Sequence, residues 1–138
     1  FVVYSRIGYP FELEWMEGGV LAEVRRILSG EKLYVRPSID YIPFLYTPLY
    51  FYVSALVSKI SGIGFGPLRI VSFISSIGCF YIVFLMVYRE TLSKYSGILA
   101  VCLFAASYPL TGTWFDIGRV DSLLSLISKI LYFASLFL

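Results

Sequence analysis

The first residues that could do chemistry are three glutamates in the stretch YPFELEWMEGG. Glu12, Glu14 and Glu17 lie within six residues, and their carboxylates repel one another unless water, a cation or a cationic substrate group relieves the repulsion. Such a cluster can supply an ionised general base or coordinate a hard metal ion. The simpler alternative is a solvated acidic turn in which the dipole of a following helix stabilises Glu17.

A second charged group comes late in the chain, in WFDIGRVDSLL. Asp121 stands where the chain enters an apolar run, and an ionised aspartate in hydrocarbon costs about 2.5–3.5 kcal/mol on insertion scales. We therefore expect Asp121 to cap the following helix, to pair with Arg119, or to act as a functional carboxylate. These roles are compatible with one another.

Two isolated cations and one hydroxyl pair complete the candidates. Lys129 falls eight residues into the last apolar run, so it must face protein, a wet cavity or an anionic lipid phosphate. Arg69 precedes a long uncharged run, where it either grips a phosphate or anchors the helix end. Tyr46 and Thr47 offer hydroxyls just before Pro48.

The composition excludes an ordinary soluble domain. The chain is 59% hydrophobic and 14% charged, whereas average proteins are about 45–50% apolar and about 25% charged. A net charge of +2 argues against nucleic acid as a partner. The segment GIGFG at 62–66 links two expected helices and follows no strand, so no nucleotide cofactor is expected. The chain has no histidine, which leaves acid–base work to carboxylates.

The distribution of charge predicts where the membrane lies. Residues 1–47 contain 11 of the 20 charged residues, and residues 70–88 contain none. Since about 20 apolar residues span a bilayer, we predict an all-α integral membrane protein with three transmembrane helices. They cover about residues 69–88, 95–112 and 121–138.

Two further helices are expected at the membrane surface, over about residues 17–29 and 48–62. The second of these is apolar, but runs this short are more often interfacial than spanning. The turn at residues 89–94 carries two cations and one acid, so the positive-inside rule makes it cytoplasmic. Residues 1–68 and Asp121 then face the periplasm or outside of a multi-pass protein in the plasma (inner) membrane.

The ends of the sequence predict a piece of a longer protein. The chain begins with Phe1 and ends inside an apolar run, so we expect truncation at both ends. We treat residues 1–138 as one unit, in which an outer segment (1–68) precedes the transmembrane helices (69–138).

The order of these motifs resembles the N-terminal part of the GT-C superfamily of membrane glycosyltransferases. The likeness is strongest to bacterial relatives of the dolichyl-phosphate-mannose protein mannosyltransferases and lipid A aminoarabinose transferases. The acidic motif at 12–17 is followed by a surface helix that closes in Ser29 and Gly30. An aromatic-Thr-Pro entry at 46–48 and a Gly-to-Arg step at 64–69 come next, and the outer loop ends at 119–121.

The resemblance implies inverting transfer of a sugar from a polyprenyl-phosphate donor, at the outer face of the lipid bilayer. It assigns the catalytic carboxylate to Glu14, with Glu17 and Glu12 as next choices, and places Asp121 near the donor phosphate or a metal. By the same resemblance Arg69 matches a family arginine, and the other candidate contacts to the donor phosphate are Arg119, Tyr46 and Thr47. The resemblance does not decide whether a divalent metal ion takes part in the reaction.

Two alternatives come from other functional classes. A transporter or channel segment would line a polar path with Asp121 and Lys129, and it predicts helices broken at mid-membrane. A non-catalytic membrane fragment is the other, because family members need more spans than this chain holds. For the same reason we expect the fragment alone to be inactive.

Overall fold

The computed structural model of this chain describes residues 2–39, 41–110, 112–113 and 115–136. Within those ranges it contains α-helices and no β-strand, which confirms the all-α prediction. The helices are α1 (Val2–Ile7), α2 (Trp15–Leu28), α3 (Leu49–Ser61), α4 (Phe65–Thr91), α5 (Lys94–Ala106) and α6 (Val120–Ser135). Two parts of the predicted spans, Thr111 and residues 137–138, lie outside the described residues.

The two short helices expected before the first span are both present, within two residues of the predicted bounds. The Glu14 side chain caps α2 by accepting a hydrogen bond from the Met16 amide at 3.0 Å. After α2 the chain turns through Gly30, whose φ of 75° lies in the left-handed region that glycine adopts without strain. Whether α2 and α3 lie along a membrane surface stays a prediction.

The apolar core lies between α2, α3 and α4. It is formed by aliphatic residues from α2 and α4 and by the start of α3, chiefly Val20, Val24, Phe51, Ala55, Leu68 and Val71. Tyr50 fastens α3 to α4, because its buried hydroxyl lies 2.9 Å from both the Leu68 carbonyl and the Ser72 hydroxyl. Burial raises the pKa of Tyr50 well above its ordinary value, so the hydroxyl stays protonated.

One residue of α2 departs from its predicted position. The spacing of the apolar residues leaves Glu23 off the apolar stripe, yet the structure buries it at 1% exposure. Its carboxylate accepts hydrogen bonds from the Phe44 amide at 2.8 Å and from the Tyr41 hydroxyl. Glu23 thus anchors the proline-interrupted loop before α3, and hydrogen bonds offset the cost of burying its charge.

Among the described helices, α4 is the one that is long and apolar enough to cross a membrane. It runs for 27 residues without a break at Gly78, whereas the transporter alternative predicts broken helices. At about 1.5 Å per residue the 13 residues of α5 and the 16 residues of α6 are shorter than a bilayer core of about 30 Å. One helix that could span a membrane is therefore shown, and the three spans stay a prediction.

The early end of α5 has a local cause. Pro109 has no N–H to continue the helical ladder, and the Tyr108 amide instead bonds to the Ala105 carbonyl in a tighter turn, at 3.1 Å. Helices α5 and α6 both pack against α4. The approach of α6 is close at Gly78, where an added Cβ would lie 2.9 Å from a methyl group of Leu126.

Candidate functional site

Glu17 and Arg69 form a buried ion pair, and both side chains are fully shielded from solvent. The Nε of Arg69 donates to Oε1 of Glu17 at 2.9 Å, and a terminal nitrogen donates to Oε2 at 2.7 Å. Such a bidentate pair is the strongest geometry available to an arginine and a carboxylate. It joins the first turn of α2 to the first turns of α4.

The remaining donors of Arg69 are also occupied. A guanidinium has five N–H groups, and the three that Glu17 leaves over donate to backbone carbonyls. Those carbonyls belong to Arg6, Tyr9 and Phe11, at distances of 2.6–2.7 Å. A phosphate would therefore find no free N–H group on Arg69 in this arrangement.

The carboxylate of Glu17 is equally saturated. Besides the two N–H groups of Arg69, it accepts the Leu13 amide at 2.9 Å and the Gly118 amide at 2.8 Å. Burial by itself raises the pKa of Glu17, but the hydrogen bonds from Arg69 and from the two amides outweigh burial and hold the pKa below its ordinary value. Glu17 is thus an ionised structural group with no lone pair left for a substrate proton.

The bond to Gly118 brings the late loop of the chain onto α2. An added Cβ at Gly118 would lie 2.9 Å from the Leu68 Cβ and 3.3 Å from Oε1 of Glu17. Only a residue without a side chain allows this approach, because protein interiors are close-packed. The loop then presents the next residue, Arg119, beside the capping carboxylate of α2.

Arg119 lies between two of the predicted carboxylates. Its terminal nitrogen is 3.3 Å from Oε1 of Glu14, and its Nε donates to Oδ2 of Asp121 at 2.7 Å. The structure therefore brings together residues that are more than 100 positions apart in the sequence. We call Glu14, Arg119 and Asp121 the carboxylate–arginine cluster.

The cluster is partly open to solvent, unlike the pair beneath it. The side chain of Arg119 is 10% exposed, that of Glu14 is 16% exposed and that of Asp121 is 46% exposed. Arg119 is the N-cap residue of α6 and Asp121 lies in the first turn, so the ion-pair alternative for Asp121 is the one observed. The helix dipole favours an anion at this end of α6.

The other predicted site residues lie apart from the cluster. Glu12 is exposed, and its carboxylate occupies the space that a side chain at Gly18 would need. Tyr46 and Thr47 lie on the exposed turn before α3, where the Tyr46 carbonyl accepts a hydrogen bond from the Tyr34 hydroxyl at 2.5 Å. Among the described residues no hydrogen bond or ion pair joins these three to the cluster.

A second charge pair lies near the same loop, with its aspartate buried and its arginine partly exposed. The sequence patterns assign no role to this pair. Arg6 contacts Asp116 at 3.0 Å, and the Tyr108 hydroxyl donates to the same oxygen of Asp116 at 2.7 Å. Arg6 also donates to the Thr113 hydroxyl at 3.2 Å. The sequence does offer one signal for this pair. Arg6 and Asp116 each lie in apolar surroundings, where a charged side chain needs a partner.

A cavity of about 210 Å³ lies next to Asp121, which is one of its lining residues, between α4, α5 and α6. Its walls combine small polar groups with aromatic rings: Ser76, Cys79, Ser122 and Ser125 with Phe104 and Phe115. Lys129 lies next to this cavity, because its ammonium donates to the hydroxyl of the lining residue Ser125 at 2.6 Å and lies 5.3 Å from the centre of the Phe104 ring.

The described residues contain no group of three or more side chains arranged to hold a metal ion. Comparisons with protein-family models, with curated protein sequences and with solved structures gave no match to this chain. The function must therefore be argued from the carboxylate–arginine cluster and the cavity beside it.

Proposed function

We propose that this chain contributes the catalytic face of a membrane glycosyltransferase that moves a sugar, with inversion, from a polyprenyl-phosphate donor to an acceptor hydroxyl. The observation that carries the proposal is the cluster itself, in which one arginine lies between two partly exposed carboxylates, Glu14 and Asp121. A transfer of this kind needs a base for the acceptor and a cation for the leaving phosphate.

Glu14 is the proposed general base. Its Oε2 is held by the Met16 amide and its Oε1 faces Arg119, so the carboxylate is oriented by α2 and still reaches solvent. Asp121 is the more exposed of the two acids, and we assign it to orienting the donor sugar or the acceptor. Arg119 is the cation that meets the donor phosphate.

The reaction balances with these groups alone. Glu14 takes the proton from the acceptor hydroxyl as its oxygen attacks the anomeric carbon of the donor sugar. The bond between that carbon and the phosphate oxygen breaks, and its electron pair leaves with the polyprenyl phosphate. Arg119 compensates the negative charge that develops on that oxygen, and the proton on Glu14 is later lost to water.

Glu17 and Arg69 receive a different role in this proposal from the one that the resemblance implies. Because every donor and acceptor of the pair is occupied, we assign both residues to the scaffold beneath the cluster. Glu12, Tyr46 and Thr47 lie apart from the cluster, and in this proposal they are candidates for contact with the acceptor or the donor headgroup.

The proposed enzyme is a multi-pass protein with residues 1–68 and Asp121 on the outer side. In support, α4 is apolar enough to cross a membrane, and the cluster lies beyond the end of α4 that carries Arg69. A cysteine placed at exposed Glu31 should then react with an impermeant maleimide from outside, and one at exposed Lys94 should not. Both cysteines are introduced into a variant in which Cys79→Ser and Cys102→Ser remove the native thiols. Labelling of both positions from the same side would contradict the topology.

The activity is tested with the longest form of the protein that can be expressed. It is reconstituted in vesicles with polyprenyl phosphates that carry radiolabelled glucose, mannose or aminoarabinose. Removal of a general base typically costs about 10²–10⁴-fold in rate, so Glu14→Gln should lower sugar transfer by at least about 100-fold. Asp121→Asn should also lower transfer. The matched control is Glu31→Gln, an exposed carboxylate paired with Arg26, which should retain activity.

Two results would overturn the proposal. One is that the unmodified protein fails to release sugar from any of the three donors. The other is transfer by Glu14→Gln and by Asp121→Asn at the rate of the Glu31→Gln control.

A further inference from the structure

The cavity beneath Asp121 has two chemical faces. Phe104 and Phe115 form an aromatic wall, with ring centres 5.5 Å apart and planes inclined at 35°. The other lining residues include Ser122 and Ser125 of α6 and Asp121, which supply hydrogen-bonding groups. Aromatic faces beside hydroxyl and carboxylate groups suit a ligand that is apolar on its ring faces and polar at its edges.

The volume limits the size of that ligand. A volume of about 210 Å³ corresponds to about seven water molecules at about 30 Å³ each. It lies below the range of about 300–1,000 Å³ that is typical of sites for drug-sized ligands. The cavity has room for a single sugar ring but not for an oligosaccharide.

The charges around the cavity favour an uncharged ligand. Asp121 and Lys129 stand eight residues apart on α6, which is about 12 Å along the helix axis, with Ser125 between them on the same face. Asp121 would repel an anion, and Lys129, whose ammonium lies against the lining residues Ser125 and Phe104, would repel a cation. A neutral polyol can donate to the carboxylate and accept from the ammonium at the same time.

Lys129 has donors to spare for such a ligand. An ammonium has three N–H groups, and within the described part of the chain one of them is used, by the Ser125 hydroxyl. No carboxylate in the same residues lies within ion-pair distance of Lys129. A charged side chain without a counter-ion in a predicted membrane segment is typical of functional positions in membrane proteins.

We propose that this cavity binds the uncharged monosaccharide ring of the lipid-linked donor, with Asp121 and Lys129 holding its hydroxyl groups and Phe104 and Phe115 covering one face. The inference rests on the proposed function, because the ring would enter beside Arg119, where the donor phosphate is expected. It adds Lys129 and Ser125 as residues that determine which sugar is accepted.

The test uses free methyl pyranosides, so that binding is measured without any transfer reaction. Saturation-transfer NMR on the protein in nanodiscs should detect at least one of the methyl glucoside, galactoside and mannoside. The matching uronate and amino sugar should give weaker signals than the neutral ring. Ser125→Leu fills the cavity and should abolish the signal, whereas Ser128→Leu, on the exposed side of α6, should leave it unchanged.

Two isosteric variants test the assigned contacts. A hydrogen bond to a charged group is worth about 1.5–3 kcal/mol, so Asp121→Asn and Lys129→Met should each weaken binding at least about tenfold. A thermal unfolding profile that matches Ser128→Leu shows that each variant is folded. A variant that is not folded is replaced by Cys79→Leu, which fills the same cavity from α4.

The inference is overturned if no neutral pyranoside binds, if Ser125→Leu binds as well as Ser128→Leu, or if the uronate or amino sugar binds best. Its failure is distinguishable from failure of the proposed function. If Ser125→Leu transfers sugar from the lipid-linked donor at the unchanged rate, the sugar site alone is refuted. Pyranoside binding without any transfer by the unmodified protein refutes the proposed function alone.

Discussion

Replacing Glu17 by glutamine should destabilise the protein far more than the small chemical change suggests. Each carboxylate oxygen of Glu17 accepts one N–H from Arg69 and one backbone N–H, from Gly118 or from Leu13. A glutamine NH₂ placed at either position therefore faces two donors, and two buried N–H groups lose their acceptor. Arg69 also loses the one counter-ion that it has among the described residues.

The expected magnitude follows from these contacts. An unsatisfied buried donor costs about 1–3 kcal/mol, and breaking one partner of a buried ion pair costs about 3–5 kcal/mol. We expect Glu17→Gln to lower the free energy of unfolding by about 3–5 kcal/mol. Arg69→Lys keeps the charge but has three N–H groups in place of five, so its effect should be intermediate.

The assay is denaturant unfolding in detergent micelles, followed by helical circular dichroism. The exposed pair Arg26 and Glu31 provides the control, because its 2.7 Å contact matches that of Arg69 and Glu17 but lies in solvent. Glu31→Gln should cost about 0–1 kcal/mol. A loss below about 1 kcal/mol for Glu17→Gln would refute the reasoning, as would additive losses when Glu17→Met and Arg69→Met are combined.

Three further predictions concern neighbouring contacts. Because the hydrogen bonds from Arg69 and two amides lower the pKa of Glu17 on folding from its ordinary value of 4.5, its contribution to stability is fully present above about pH 4.5 and is lost as pH falls through the lower folded pKa. Unfolding measured at intervals between about pH 6 and about pH 3 should show this fall, and an equally steep fall in Glu17→Gln would contradict it. Gly118→Ala should cost about 1–3 kcal/mol and reduce sugar transfer, because its Cβ would collide with Leu68; unchanged thermal stability would rule this out. Glu23→Gln should speed proteolysis in the loop at residues 31–47, because it weakens the hydrogen bond from the Tyr41 hydroxyl. An unchanged cleavage rate would show that the loop is held by other contacts.

The helices were largely predictable from local patterns. Glycine and proline marked the ends of α2 and α3, and the uncharged run at residues 70–88 marked α4. The lengths of α5 and α6 were less predictable, because hydropathy does not register a tight turn ahead of Pro109 or the irregular loop that follows it. Glu23 was misplaced for a related reason, since periodicity along one helix cannot reveal a loop that folds back to bury a carboxylate.

The site was predictable in its members but not in its division of roles. The acidic motif and the Arg119–Asp121 step both contain residues of the carboxylate–arginine cluster, and Arg119 was expected as a partner of Asp121. Spacing in the sequence cannot show which glutamate has all the acceptor positions of its carboxylate occupied by hydrogen bonds. Glu14 and Glu17 are three residues apart, yet one faces a partly exposed arginine and the other is consumed by four N–H donors. Only the three-dimensional arrangement separates them.

The saturated ion pair also sets the order in which this region can assemble during synthesis. Arg69 follows Glu17 by 52 residues, and the Gly118 amide follows it by 101. At about 5–20 residues per second, the ribosome needs about 5–20 s after making Glu17 to supply its last donor. Until then Glu17 is an unsatisfied carboxylate that favours hydration over burial. The contacts that tie α2 to α4 and to the loop at Gly118 are therefore completed only after α4 and α5 have been made.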